Sequence, residues 1–126
     1  KDFANSEGSI DESLERRAMQ TLVNMALMNE SNPHKKREYL KDAVEHTLLE
    51  SAEKESIIAA FESQNTFKVD LQPFGEEEVS AALLMRRLSE IIRISDDIAV
   101  TEKIYLNKIS RELGYSQRDV EQFISE

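Results

Sequence analysis

Cysteine is absent from the 126 residues, glycine occurs three times and proline twice. Without cysteine the chain has neither a disulfide nor a thiolate metal site, so its stability rests on packing. With so few glycines and prolines, little forces a helix to stop. Only two histidines are present, and there is no glycine-rich phosphate loop, no nucleophile elbow and no HExxH pattern. That leaves little material for general-base or nucleophilic work, and we expect no enzyme. No apolar run approaches the roughly 20 residues that cross a membrane, and no signal-peptide pattern opens the chain. The expected location is cytoplasmic. Because the first residue is Lys1, the sequence reads as a fragment or a processed product.

What the chain does have is acid. Twenty-five Asp and Glu against sixteen Lys and Arg give a formal charge of −9, which disfavours nonspecific binding to nucleic acid or anionic lipid and favours basic partners. Its length suits one domain able to bury roughly two thirds of the surface its unfolded chain exposes.

Apolar residues recur at helical spacing through most of the sequence, so the expected class is all-α, a bundle of six to seven helices. Residues 1–8 are polar and read as a flexible segment, with Ser9 and Glu12 as a capping box opening the first helix. Its buried stripe is Leu14, Ala18, Leu22, Met25 and Ala26. Asn32 and Pro33 read as N-cap and first residue of a second helix whose inner face carries Tyr39, Leu40, Ala43 and Val44. A third starts at Ser51 and turns Ile57, Ile58 and Phe61 inward. Phe67, Val69 and Leu71 alternate, which predicts an extended connection over 65–75 ended by Pro73 and Gly75. Glu76 to Glu78 favour the start of a fourth helix, with Leu84, Leu88, Ile91 and Ile92 inside. Thr101 is the expected cap of a fifth, carrying Leu106, Ile109 and Leu113 inward, and Gly114 its left-handed close. Ser116 and Asp119 open a sixth, with Val120, Phe123 and Ile124.

Sliding the sequence on itself by about 66 residues places Met19 on Met85, Leu22 on Leu88, Met25 on Ile91, Met28 on Ile94, Tyr39 on Tyr105 and Leu40 on Leu106. This is an internal duplication at helix-pair scale, the register slipping by one near Ser51 and Ser116 so that the third helices match more loosely. We expect one domain, 9–126, with halves at 9–64 and 76–126 packed face to face about a pseudo-twofold axis.

The second half, from Leu88 through Asp96-Asp97 to Leu113-Gly114-Tyr115-Ser116, resembles the tellurite-resistance TerB-like family, which includes the helical domain of membrane-anchored DnaJ-type co-chaperones. The resemblance covers about 45 residues, from an apolar helix with an acidic corner to a Leu-Gly-Leu-Ser-like turn into a short last helix. Asp97 replaces the corner glycine, Ile104 stands near an expected glutamate, and the first half has Asn29-Glu30-Ser31 at its corner. Those departures remove carboxylates. The resemblance implies a non-enzymatic interaction module of a stress-response or membrane-associated system in bacteria.

Four groups of residues are candidate sites. Asp96, Asp97 and Glu102 would give a divalent cation such as calcium three oxygen-bearing side chains, although such ions want six or more ligands, and the same acids suit a self-bonded corner. Asp42, His46 and Glu50 fall at i, i+4 and i+8, where the ends lie about 12 Å apart and at most two can chelate zinc. His34, Lys35, Lys36 and Arg37 gather positive charge at a helix N-terminus, an arrangement suited to a phosphate or an acidic partner. Residues 110–120 have helix-turn-helix spacing, but 100–126 hold four basic and five acidic residues, 4 − 5 = −1, where a recognition helix would be basic. The leading expectation is therefore a domain that docks a protein partner, including a second copy of itself, through its acidic surface or the 34–37 cluster. A divalent-metal sensor and a DNA-binding regulator are the alternatives.

Overall fold

The computed structural model describes the backbone of residues 2–125 and the side chains of residues 12–125. The elements run α1 (Asp2–Ala26), α2 (Pro33–Glu45), α3 (Ser51–Glu62), a 3₁₀ turn (Gln72–Glu76), α4 (Glu78–Ile92), α5 (Val100–Glu112) and α6 (Gln117–Ser125). The fold is an all-α bundle of six α-helices, with no strand among the described residues. Three helices precede the connection and three follow it.

The predicted stripes form one core. Leu22, Val23, Met25, Leu40, Met85, Leu88 and Ile91 have no exposed surface, and Leu84, Ile92 and Leu106 are within 1 % of it. Burial of each such side chain is worth roughly 1.5–3 kcal/mol. Ala18, Tyr39, Ile58, Leu113, Phe123 and Ile124 pack on that core while remaining half-buried.

Helix starts depart most from expectation. α1 extends back to Asp2, so Ser9 and Glu12 fall inside it instead of opening it; Lys1 lies outside the described residues. Nothing between Asp2 and Ser9 except Gly8 opposes a helix, and one glycine costs only about 0.5–1 kcal/mol. Asn32 precedes Pro33 but is left-handed, at φ 49° and ψ 51°, and makes no side-chain cap. α5 begins after Ala99 rather than at Thr101. In both places the hydroxyl or amide meant for a cap reaches into the other half. Asn32 Nδ2 donates to Ile94 O at 2.6 Å and to Asp96 Oδ1 at 3.0 Å, and Thr101 Oγ1 donates to Met28 O at 2.7 Å.

Two local expectations hold. Gly114 closes α5 at φ +89°, with Tyr115 N donating to Ser110 O at 2.8 Å. Ser116 and Asp119 form a reciprocal box before α6, Ser116 N to Asp119 Oδ2 at 2.9 Å and Asp119 N to Ser116 Oγ at 3.2 Å. The Ser116 amide, together with the Ser116 hydroxyl, holds the Asp119 carboxyl below the usual carboxylate range.

The connection from Asn65 runs without helix to Asp70, its alternating burial that of an extended backbone, and at Leu71 (φ −95°, ψ 1°) it bends into the 3₁₀ turn. Phe67 and Val69 pack on the core and Leu71 is buried, while the alternate residues face out. Asn24 clamps this segment to α1, donating Nδ2 to Phe67 O at 2.9 Å and accepting Phe67 N on Oδ1 at 2.8 Å. Arg17 Nη1 donates to Asp70 O at 2.8 Å.

Candidate functional site

The corner between α1 and α2 meets the corner between α4 and α5, and their polar side chains form one buried network. Glu102, in the first turn of α5, has no exposed surface. One of its oxygens accepts from Ala99 N and Asn29 Nδ2, each at 2.8 Å, and the other accepts Ser95 Oγ at 2.8 Å. Lys36, 1 % exposed, donates Nζ to Asn29 O at 2.5 Å. Burial lowers the Lys36 ammonium's pKa, and the Glu102 charge opposes that shift. A carboxylate so fully engaged has little capacity left for an ion.

The cation site expected at Asp96, Asp97 and Glu102 therefore does not assemble. Asp96 and Asp97 are exposed, Asp96 accepts from Asn32, and Glu102 turns inward. Among the described residues no group of three His, Asp or Glu side chains is placed to hold a metal ion. The Asp42-His46-Glu50 ladder fails for a simpler reason. α2 ends at Glu45, so Glu50 is off the helix, while His46 Nδ1 lies 2.7 Å from Asp42 O.

The 34–37 cluster likewise disperses. Lys36 is buried, Arg37 Nε pairs with Glu62 at 2.5 Å, His34 Nε2 lies 3.1 Å from Glu38, and Lys35 is exposed. Four consecutive residues of a helix point in four directions about 100° apart, so they converge on one anion only if their long side chains bend together. The helix-turn-helix spacing of 110–120 is present as α5 and α6, with Tyr115 and Phe123 packed edge to face at 5.5 Å across the corner.

Contacts across the two halves are reciprocal. Tyr39 Oη donates to Glu90 on α4, and Asn24 Nδ2 on α1 donates to Tyr105 Oη at 3.0 Å. Adding 66 to 39 and 24 gives 105 and 90, so the two contacts exchange under the repeat. Met28 O and Ile94 O, also 66 apart, are each capped from the opposite half, and Lys36 and Glu102 are likewise 66 apart. This is the contact pattern of an isologous pseudo-twofold axis. The charge reversal between Lys36 and Glu102 was the sequence signal for the buried network, legible once the offset was known.

A groove that the sequence did not single out lies between α2 and α4, floored by Leu22, Phe74 and Leu84 and enclosing about 250 Å³. Ala43, His46, Thr47 and Leu48 line one side, Ser80, Leu83 and Arg87 the other, and Leu14, Glu15, Ala18 and Met19 the end formed by α1. Leu48 and Leu83 are 69 % and 52 % exposed on its rim. Glu15 holds that rim in place, accepting Leu48 N at 2.8 Å. Arg87 stands over the Tyr39 ring, 5.9 Å from its centroid. Burial and the hydrogen bond to Glu90 raise the Tyr39 pKa well above a free tyrosine's, so the hydroxyl remains a donor.

No helix of the described residues is long and apolar enough to cross a membrane. No protein-family model matches the chain, and no curated protein or solved structure matches it.

Proposed function

We propose that this domain is a non-enzymatic interaction module that docks a protein partner in the groove between α2 and α4. The observation that carries the reading is the pairing of a concave apolar floor with large exposed leucines at its edge. A contiguous apolar depression with a polar rim is the usual form of a docking site, because its hydration is released when a partner's side chain enters. The TerB-like reading of the second half belongs to the same proposal, supported by the Leu113-Gly114-Tyr115-Ser116 turn and the reciprocal halves. The 34–37 cluster is set aside as the docking face, since its cations point apart and one of them is buried.

Affinity capture tests this directly. Leu48→Glu combined with Leu83→Glu places two charges on the rim without touching the core, and partner recovery should fall to background while helical content is unchanged. Lys35→Glu should leave recovery intact. Equal recovery by wild type and the leucine double variant would remove the groove as a docking face.

A further inference from the structure

The pseudo-twofold axis pairs the groove with a face of the other half that the chain covers by itself. On α1 that face presents Arg17 and Asn24, and the extended segment Phe67–Leu71 lies against it, Asn24 also touching Tyr105 of α5. Adding 66 gives Leu83 and Glu90 on α4, with Tyr39 of α2 in place of Tyr105. Between those positions runs the α2–α4 groove, lined by Leu83 and Arg87 on one side and by Ala43 and Thr47 on the other. Resting on the reading above, we infer that the groove takes an extended peptide segment of a protein partner, apolar at alternate positions and basic in charge, as Phe67–Leu71 occupies the equivalent face.

The polar groups at the groove suit an extended backbone. Asn24 clamps Phe67 by giving and accepting one bond each, as a strand neighbour would. Glu90, its counterpart, offers acceptors only and meets a peptide N–H or a cation. Arg87, one helical turn earlier, supplies donors for a peptide carbonyl, the part that Arg17 plays toward Asp70 O. Alternate side chains of the segment would then enter the floor at Leu22, Phe74 and Leu84, the division of labour seen wherever an extended peptide is read by its backbone and every second side chain. On the rim itself Glu15 and Arg87 balance, so the sign of the charge follows from the chain's net charge of −9 and from the Glu90 carboxylate one turn beyond Arg87.

The test uses an acetylated, amidated peptide carrying the sequence of residues 65–72 with Asp70→Lys. Its control has the same composition, with the apolar residues respaced at i, i+3 and i+4. Titration into ¹⁵N-labelled domain, followed by amide shifts, should saturate at ~1 mM peptide or below, move Ala43, Thr47, Leu83 and Arg87, and show the control weaker by about tenfold or more. Leu48→Glu with Leu83→Glu should weaken binding of the extended peptide by about tenfold or more as well. The inference is overturned if no amide responds, if the control binds equally well, or if the responding amides are Asn24 and Phe67, which would mean that the peptide displaces the chain's own segment. If the peptide fails while capture still depends on Leu48 and Leu83, the groove docks a partner of another shape and only the extended occupant is lost. If capture is indifferent to both leucines, the interaction reading itself falls.

Discussion

Equivalent positions in the two halves carry opposite chemistry where the halves meet. Lys36 and Glu102 occupy one repeat position and join through Asn29, which takes the ammonium on its carbonyl and gives its amide to the carboxylate. Asn24 holds a covering segment on α1, whereas Glu90 stands beside a groove on α4. A true twofold brings identical residues together, and two lysines or two glutamates buried near its axis would repel strongly in a low dielectric. Within this one chain the two corners differ, one presenting the Lys36 ammonium and the other the Glu102 carboxylate, and the segment from Phe67 lies on α1 while α4 borders an open groove.

The largest effect should come from breaking the corner network on its acidic side. Glu102→Leu leaves the Lys36 charge buried without compensation and should cost about 3–5 kcal/mol in urea denaturation. Lys36→Met is expected to cost less, about 1–3 kcal/mol, because Ser95, Ala99 and Asn29 still satisfy Glu102. The double variant should lose less than the sum of the two. Equal losses from the two single variants would mean that the corners are not inequivalent in this way. The pair also has a pH signature. Lys36 has a lowered pKa in the folded state, so over the window from that lowered value up to 10.5 the unfolded chain binds more protons and the group's contribution favours folding increasingly as pH rises. Wild type should therefore gain stability relative to Lys36→Met as pH is raised toward 10.5, and a constant difference would contradict the assignment.

The comparison of the faces is sharpened by their clamps. Asn24→Ala removes both bonds to Phe67 and the bond to Tyr105 and should cost about 1–3 kcal/mol, with faster hydrogen exchange at the Phe67 amide. Glu90→Ala, on the face with the groove, should stay within about 0.5 kcal/mol. Comparable costs would show that the second face is also structural.

Smallest are the helix ends. Gly114 closes α5 and Gln64 closes α3, both at positive φ, +89° and +60°. Gly114→Ala should lower stability by about 1 kcal/mol, and Gln64→Gly should raise it by up to about 1 kcal/mol. Thermal melts read both, and shifts of the same sign would contradict the left-handed geometry at one of the two ends.

The core stripes, the third-helix start at Ser51, the extended connection, the Gly114 close and the Ser116–Asp119 box were legible because each depends on periodicity or on bonds within a few residues. The caps assigned to Asn32 and Thr101 were not, since a carbonyl of the opposite half competes for the same side chain and wins. Glu102 looked like a surface ligand because sequence shows its charge but not the three donors that surround it. The groove had no local sign at all. Its floor reads as ordinary core, and its rim leucines sit more than 30 positions apart.

The sequence by itself determined that this chain is helical and which side chains face inward, because apolar spacing and the turn-forming residues act over one or two turns of backbone. Tertiary structure alone decided where the polar residues go. Which carbonyl Asn32 caps, whether Lys36 and Glu102 are buried, and which of two similar faces receives Phe67–Leu71 all depend on groups about 30 to 70 residues away, brought near only when the halves close on each other.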